Sequence, residues 1–158
     1  MEGGLGLETY PNVQAWADAE VARQGAEGTE DGFVRAVNWL SQTQQRGGPP
    51  LREVEIASIH ARVMGTDLGA VARGRTYRRT PVTFASGGSA SKAEDIPRQM
   101  QLLMASDLQE TDPLEFVRQF VRIHPFEDGN GRTASILYNY LKNPDSFIDF
   151  KAPWYRLP

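Results

Sequence analysis

The nine residues HPFEDGNGR, which run from His124 to Arg132, decide the fold of this 158-residue chain. Pro125 disfavours helical geometry in the residue before it and cannot itself extend a helix, so a helix is predicted to end at His124. The glycines on either side of Asn130 allow a sharp turn that points backbone N–H groups inward, and a second helix is predicted to follow. The sequence therefore predicts a helix-loop-helix whose loop lies at the positive end of a helix dipole.

The side chains of this stretch are those expected of a phosphate-binding site. Arg132, in the first turn of the second helix, supplies a planar cation that can hold a phosphate by two parallel hydrogen bonds. Asp128 offers a carboxylate to Mg2+, which usually binds through one or two carboxylates and substrate phosphates. His124 can accept a proton near neutral pH. A base, a metal ligand and an anion pocket thus lie within nine consecutive residues.

The helices on either side of this stretch have further signals. The upstream helix has Asp112 as its N-cap, a proline at its first position and Glu115 at its third, which resembles a capping box. In the downstream helix, Ser135 and Asn139 follow Arg132 by three and seven residues. Their side chains are therefore expected to project toward the same edge as that of Arg132.

Apolar residues at helical spacing predict four more helices earlier in the chain. Their inward positions are Val13, Trp16, Ala17 and Val21; Phe33, Val34, Val37 and Leu40; Ile56, Ile59, His60 and Val63; and Ile96, Met100 and Leu103. The histidine on the third stripe is predicted to be a hydrogen-bonded core residue. We expect one domain over residues 1–158, with a core at about 10–143, a flexible tail at 1–7 and a C-terminal extension at 144–158 packed on the core.

Residues 74–84 are the one credible extended region. Tyr77, Thr80 and Val82 favour extended structure, whereas Pro81 restricts the segment to an edge or irregular strand. An exposed strand edge offers unpaired backbone groups to which a partner segment can add as another strand. Taken alone, the same composition favours a surface hairpin with solvated arginines.

The composition of the chain limits the kinds of partner that it is expected to bind. A formal net charge of -3 and an acidic pI near 5.4 give no electrostatic reason to bind nucleic acid or an acidic membrane surface. The chain has no cysteine, which excludes disulfides and cysteine-ligated metal. No apolar run approaches the ~20 residues of a membrane span, and the first residues lack a signal-peptide pattern. We expect a cytoplasmic protein, or one delivered as a soluble effector.

The stretch from His124 to Arg132 resembles the signature loop of the Fic/Doc superfamily, whose pattern is H-x-F-x-D/E-G-N-G-R-x-x-R. The resemblance implies a Fic fold of about six to eight helices around a central helix-loop-helix, with a short β-hairpin flap over the loop. It also implies that Phe126 anchors the loop in the core. Tyr77, Arg78, Thr80 and Val82 then correspond to the flap that holds a target protein.

By resemblance, the chain is a nucleotidyltransferase that moves AMP, or another nucleotide monophosphate, from ATP to a Ser, Thr or Tyr hydroxyl of a target protein. His124 is the expected catalytic base and Asp128 the Mg2+ ligand. The nucleotide-binding residues are expected to be Gly129, Asn130, Gly131, Arg132, Ser135 and Asn139. In this assignment the inward amides and the Asn130 side chain stabilise the transferred group.

Ser135 stands where the pattern has its second arginine, which in the AMP-transferring branch helps to hold the distal phosphates. A serine supplies no charge, so Ser135→Arg is expected to tighten ATP binding. Doc-type toxins also lack this arginine and phosphorylate their target, but their loop has Ala-Asn-Lys where this chain has Gly129-Asn130-Gly131. The small Gly131 leaves room for an α-phosphate and favours AMP.

Two alternatives from other classes remain, and Ser135 favours the first of them. One is a Fic-fold enzyme that transfers phosphate, UMP or phosphocholine, or that modifies a small molecule. The other is a non-catalytic module that binds a peptide through its flap, against which the intact His124 and Asp128 argue. The family's inhibitory motif, Ser/Thr-x-x-x-Glu-Gly/Asn, is not present in full. Either the chain is uninhibited, as a toxin-like effector would be, or a separate small antitoxin supplies the inhibitory helix.

Overall fold

The structure is a computed structural model that describes residues 12–44, 50–66, 68, 77–84 and 87–142. Within these residues there are seven α-helices: α1 (Val13–Arg23), α2 (Glu30–Gln44), α3 (Glu53–Met64), α4 (Ile96–Ala105), α5 (Leu108–Thr111), α6 (Pro113–Ile123) and α7 (Asn130–Lys142). A 3-10 turn at Ala93–Asp95 leads into α4. The prediction of a mainly helical chain is confirmed. The predicted tail at 1–7 and the extension at 144–158 lie outside the described residues.

The starts of the helices follow their capping residues. The Asp112 carboxylate accepts a hydrogen bond from the Glu115 N–H at 3.2 Å and so begins α6 as predicted. At α1, the Asn12 side chain accepts from the Ala15 N–H at 2.9 Å. The one-turn helix α5 was not predicted, because its four residues are too few to show a periodic pattern.

Helix α7 is the element around which the others pack. From Asn130 to Leu141, every residue except Gly131 is buried. A helix that is buried on all sides belongs to the core and not to the surface. Helices α3 and α6 both pack against it, and α6 ends at the buried Ile123. The loop that joins α6 to α7 is therefore held in the core at both ends.

Helices α2 and α3 cross closely at Gly32. A Cβ atom added there would lie 2.1 Å from the Val63 carbonyl oxygen and 2.9 Å from that of Arg62, so only glycine fits. On the other side of α2, Phe33 packs edge-on against Trp16 of α1 with ring centroids 4.9 Å apart. This packing brings the last turn of α3 to the loop, where Met64 lies against Gly129.

A strand flap is not seen among the described residues. In its place, one antiparallel bridge joins Thr83 to Ser89. The Ala90 N–H donates to the Val82 oxygen at 3.0 Å, and the Phe84 N–H donates to the Gly88 oxygen at 2.7 Å. A proline before the bridge and two glycines between its bridged residues disfavour the extension of this hairpin into a ladder. We call residues 77–84 the flap segment.

Candidate functional site

His124 ends α6 in an unusual backbone conformation. Its φ of 53° and ψ of 61° lie in the left-handed region, and it is the one non-glycine residue with positive φ in the described part of the chain. Its N–H still donates to the Phe120 carbonyl at 2.9 Å. The left-handed residue stops the helix and turns the chain into the loop, and Pro125 cannot extend the helix further.

The loop is held from within by Asn130 and Phe126. The Asn130 Oδ1 accepts from the Phe126 N–H at 3.1 Å, and the Asn130 Nδ2 donates to the Phe126 oxygen at 2.9 Å. Phe126 is fully buried. Each of these bonds uses only one of the two donors of Nδ2 or one of the two lone pairs of Oδ1, so contact of the Asn130 side chain with the transferred group stays a prediction.

His60 fastens the loop to α3. Its ring stacks on Phe126 with centroids 3.7 Å apart and planes inclined by 7°. The Nε2 lies 2.8 Å from the Asp128 carbonyl oxygen. Burial lowers the pKa of His60 to about 4, so the ring is neutral, and Nε2 carries the proton because a carbonyl can only accept. His60 is thus the hydrogen-bonded core histidine that the sequence predicted.

Asp128 and Arg132 form an ion pair at the mouth of the loop. The Asp128 Oδ1 lies 3.2 Å from the Arg132 Nη2, and the Asp128 side chain is 73% exposed. The same Oδ1 accepts from the Gly129 N–H at 2.8 Å. On its other side, the Arg132 Nη1 donates to the Thr29 hydroxyl at 3.1 Å. The guanidinium is therefore fixed in place while the carboxylate still reaches solvent.

A cleft of about 270 Å3 opens above the loop. It is lined by Gln24, Gly25, Ala26, Glu27, Thr29, Met64, His124, Asp128, Gly129, Asn130, Gly131 and Arg132. The structure thus brings together His124, Asp128 and the predicted anion-binding residues 129–132. A second hollow of about 280 Å3 lies between α4 and α6 and contains none of the predicted site residues.

The far wall of the cleft is the turn Gln24–Thr29 between α1 and α2, which sequence reasoning missed. Its only sequence signal is the pair of glycines that ends the helical pattern of α1. A Cβ atom added to Gly131 would lie 2.4 Å from the Gln24 Oε1. The end of the Gln24 side chain therefore lies close to Gly131, and the room for an α-phosphate at this position stays a prediction.

Ser135 and Asn139 lie away from the cleft, which corrects their predicted position. Both are fully buried, and neither lines the cleft. The Ser135 hydroxyl donates to the Gly131 oxygen at 3.1 Å and lies 3.4 Å from the buried Glu20 carboxylate. The Asn139 Nδ2 donates to the Ser135 oxygen at 3.3 Å. Because α7 runs through the core, Ser135 and Asn139 are buried after its first turn, and Ser135 faces Glu20 of α1.

The flap segment lies on the loop. The Arg78 N–H donates to the Pro125 oxygen at 2.8 Å, and the Thr80 hydroxyl donates to the Glu127 carboxylate at 2.7 Å. The Phe84 ring meets the His124 ring edge-on, with centroids 5.5 Å apart. The flap segment and the catalytic histidine candidate are thus in direct contact.

Two of the four predicted target-binding residues turn inward. Tyr77 donates its hydroxyl to the Glu53 carboxylate, and its ring lies 5.7 Å from that of Phe126. Arg78 is only 2% exposed. Their predicted contact with a target needs correction, because both side chains already bind within the fold. Thr80 is exposed and Val82 half-buried, so for these two residues target binding stays a prediction.

The ring of His124 contacts the backbone through one of its two nitrogens. Its Nδ1 lies 3.3 Å from the Val121 oxygen, and because that carbonyl can only accept, Nδ1 carries a proton. In the neutral ring, Nε2 is then the atom with a free lone pair. Burial lowers the pKa of His124, the Val121 bond and Asp128 raise it, and the Arg78 cation lowers it further. The net direction is downward, so the base form is populated at neutral pH.

Neither a cluster of metal-binding side chains nor a membrane-spanning helix is found among the residues that the structure describes. In that part of the chain, no three His, Cys, Asp or Glu side chains gather into a metal-binding group. None of its helices is long and apolar enough to cross a membrane.

The fold and the site can be compared with known proteins. A similar protein is the protein adenylyltransferase Fic of Nematostella vectensis, which is 34% identical over 118 residues that cover 70% of this chain and 27% of that protein. A Fic domain containing signaling protein from Bacteroides thetaiotaomicron has a crystal structure that matches with a TM-score of 0.56 and 27% identity. That match covers 72% of this chain and 46% of the solved chain.

This chain therefore spans about a quarter of the length of its curated relative and less than half of the solved chain. A family model described as the Fic/DOC family matches residues 50–141. The matched residues run from the start of α3 through the flap segment to α7 and include the whole loop. Since the match covers more than half of the chain, this chain belongs to the Fic/DOC family.

Proposed function

We propose that this chain transfers AMP, or another nucleotide monophosphate, from ATP to a Ser, Thr or Tyr hydroxyl of a target protein. The observation that carries the proposal is the cleft in which His124, Asp128 and the first turn of α7 meet. Membership of the Fic/DOC family supports a transferase of this kind. The similar protein from Nematostella vectensis is named for the same reaction.

His124 acts as the base. Its Nδ1–H is turned toward the Val121 carbonyl, which leaves Nε2 to take the proton of the incoming hydroxyl. As that proton leaves, the hydroxyl oxygen forms a bond to the α-phosphorus of ATP. The bond from the α-phosphorus to the bridging oxygen breaks, and pyrophosphate departs. No side chain forms a covalent intermediate, so the rate depends on positioning and on charge stabilisation.

The N-terminus of α7 binds the negative charge. The first helical hydrogen bond runs from the Thr133 N–H to the Gly129 oxygen at 3.0 Å, so the N–H groups of residues 130–132 have no partner within the helix. These three amides and the helix dipole favour a phosphate at this end. Arg132, held by Thr29 and Asp128, adds a fixed cation that requires little reorganisation.

Asp128 is the residue that would hold Mg2+. Its carboxylate is 73% exposed and lines the cleft, and Mg2+ needs only one or two protein carboxylates when substrate phosphates complete its coordination. The residues present therefore fit this ion. When bound, Mg2+ would neutralise charge on the phosphate oxygens.

The flap segment is where we propose that the target protein docks. In the described part of the chain, the N–H groups of Thr80 and Val82 have no hydrogen-bond partner. Both residues precede Phe84 in the flap segment, and the Phe84 ring contacts that of His124. An extended target segment that pairs with this edge would bring its hydroxyl toward the base.

A second candidate is transfer of a different group, such as phosphate, UMP or phosphocholine. The observation that favours it is that Arg132 is the one Lys or Arg residue among those that line the cleft. Ser135, which is buried beside Glu20, adds no charge to it. A single cation restrains the distal phosphates less than two would, so the orientation of the donor is less constrained.

Labelled ATP distinguishes these reactions. The chain is incubated with Mg2+, a cell lysate and ATP labelled at either the α- or the γ-phosphate. His124→Asn is the control, because asparagine tolerates the left-handed backbone that this position requires. Label from the α-position on a protein, lost in the variant, supports AMP transfer, whereas label from the γ-position supports phosphate transfer. If no nucleotide or phosphocholine donor labels anything, and the variant behaves as the wild type does, both enzymatic proposals fail.

A further inference from the structure

Arg78 is a buried cation without a buried anion. It is 2% exposed and is among the largest fully buried side chains. In the described part of the chain, no carboxylate lies within ion-pair distance of its guanidinium. Burying a charge is costly unless its donors are satisfied. The hydrogen bonds of the Arg78 guanidinium must therefore offset the cost of burying its charge.

Its guanidinium donates to four backbone carbonyls. The Nε donates to the His124 oxygen at 2.5 Å and the Nη2 to the Ile123 oxygen at 3.0 Å. The Nη1 donates to the Thr80 oxygen at 2.6 Å, and the Nη2 also donates to the Ser91 oxygen at 2.5 Å. One side chain thus joins the end of α6, the flap segment and the chain that enters α4.

Two of these carbonyls belong to the C-terminal end of α6. The last carbonyls of a helix have no partner within it, and they form the negative end of its dipole. Arg78 supplies N–H donors to these carbonyls, and its positive charge is favourable at the negative end of the dipole. The contact falls on His124, whose left-handed backbone is disfavoured for a residue with a side chain and must be held by its surroundings.

We propose that Arg78 is the positioning residue for His124: by fixing the Ile123 and His124 carbonyls, it sets the direction in which the imidazole enters the cleft. The inference rests on the proposed function in that His124 is taken as the base. Arg78 does not itself reach the cleft. Its charge acts on the ring in addition, since it helps to lower the pKa of His124, against the opposite effect of Asp128.

The first test is Arg78→Lys, with the exposed neighbour Arg79→Lys as matched control. Lysine keeps the charge but lacks the planar fork that reaches four carbonyls. We expect kcat to fall by about 10²-fold, because small displacements of a reacting group have effects of this size, while the dissociation constant for ATP stays within about twofold. The control should keep wild-type kcat. A wild-type kcat in Arg78→Lys, or a loss of kcat equal to that in Arg79→Lys, would overturn the proposal.

A spectroscopic measurement separates this inference from the function. The chain has only two histidines, so NMR of histidine-labelled protein resolves His124, with His60 as internal reference. In Arg78→Lys we expect the His124 backbone and ring shifts to move and those of His60 to remain. Unchanged His124 shifts would refute the positioning role even if the wild type proves inactive. Absent activity in the wild type, with moved His124 shifts, would refute the proposed function alone.

A second variant distinguishes a loss of activity through misplacement of His124 from a loss of activity through unfolding. Arg78→Ala removes the guanidinium and leaves a site of its shape beside the four carbonyls. Guanidinium ion, added far below denaturing concentrations, should restore part of kcat in this variant and leave Arg79→Ala unaffected. Loss of activity that guanidinium does not restore, in a protein that still melts cooperatively, would contradict the proposal.

Discussion

The loop from His124 to Arg132 and the flap segment 77–84 both contact the candidate base, but they are held in different ways. The loop is held by a side chain of its own, since Asn130 bonds Phe126 four residues away. The flap segment is held from a distance, since Arg78 bonds His124 across 46 residues. A loop that closes on itself sets its geometry locally, whereas the flap segment depends on the packing of α6. Substitutions in the loop should therefore have larger effects than substitutions in the flap segment.

The largest effect is expected from Asn130→Ala. The change leaves the buried N–H and C=O of Phe126 unpaired, and each such group costs about 1–3 kcal/mol. We expect the free energy of unfolding, measured by urea denaturation, to fall by roughly 2 to 6 kcal/mol, together with a loss of transfer activity. Asn38→Ala on the exposed face of α2 is the control and should change stability by less than about 0.5 kcal/mol. Equal stability of the two variants would mean that the loop does not depend on Asn130.

The next effect concerns the contact between α3 and the loop, and it depends on pH. The folded pKa of His60 is lowered to about 4, whereas in the unfolded chain it is about 6.5. Below pH 6.5 the unfolded state therefore binds a proton that the folded state does not, and stability falls as the pH falls toward 4. In His60→Gln, the amide can still donate to the Asp128 carbonyl but does not titrate.

We therefore expect wild type to lose about 3 kcal/mol more than His60→Gln between pH 7 and pH 4. Urea denaturation of both proteins at a series of pH values measures this difference. The contributions of the carboxylates to the pH dependence are the same in both proteins and therefore cancel. Parallel stability curves would show that His60 is protonated in the fold, and that it does not donate to the loop as a neutral ring.

The grouping of His124, Asp128 and residues 129–132 around one cleft could be predicted from the sequence, because these residues are close neighbours along the chain. The positions of Ser135 and Arg78 could not. Whether the residue three after Arg132 faces solvent depends on where α1 packs, and a sequence pattern does not show that. The Thr29 hydroxyl meets Arg132 across 103 residues, a separation at which neither spacing nor composition predicts contact. The longer helices were predictable, since their apolar periodicity and caps are local, whereas the four residues of α5 were too few to show a pattern.

Ser135→Arg tests whether position 135, in the second turn of α7, faces the core or reaches the phosphates. The sequence alone predicts tighter ATP binding, but Ser135 is buried beside Glu20. An arginine would meet that carboxylate inside the core, so we expect the free energy of unfolding to fall by about 1–3 kcal/mol from overpacking. The dissociation constant for ATP, measured by calorimetry, should change by less than about twofold. Tighter binding would show that position 135 reaches the phosphates, and Ser135→Ala controls for loss of the hydroxyl.

The smallest effect is expected from Thr80→Val, which removes the hydrogen bond between the flap segment and Glu127 and keeps the side-chain shape. Both groups are exposed, and solvent weakens a bond of this kind, so the free energy of unfolding should fall by less than about 1 kcal/mol. Thr83→Val, an exposed position in the same hairpin, is the control. A loss as large as that of Asn130→Ala would mean that the flap segment, and not the internal bonds of the loop, fixes the geometry around His124.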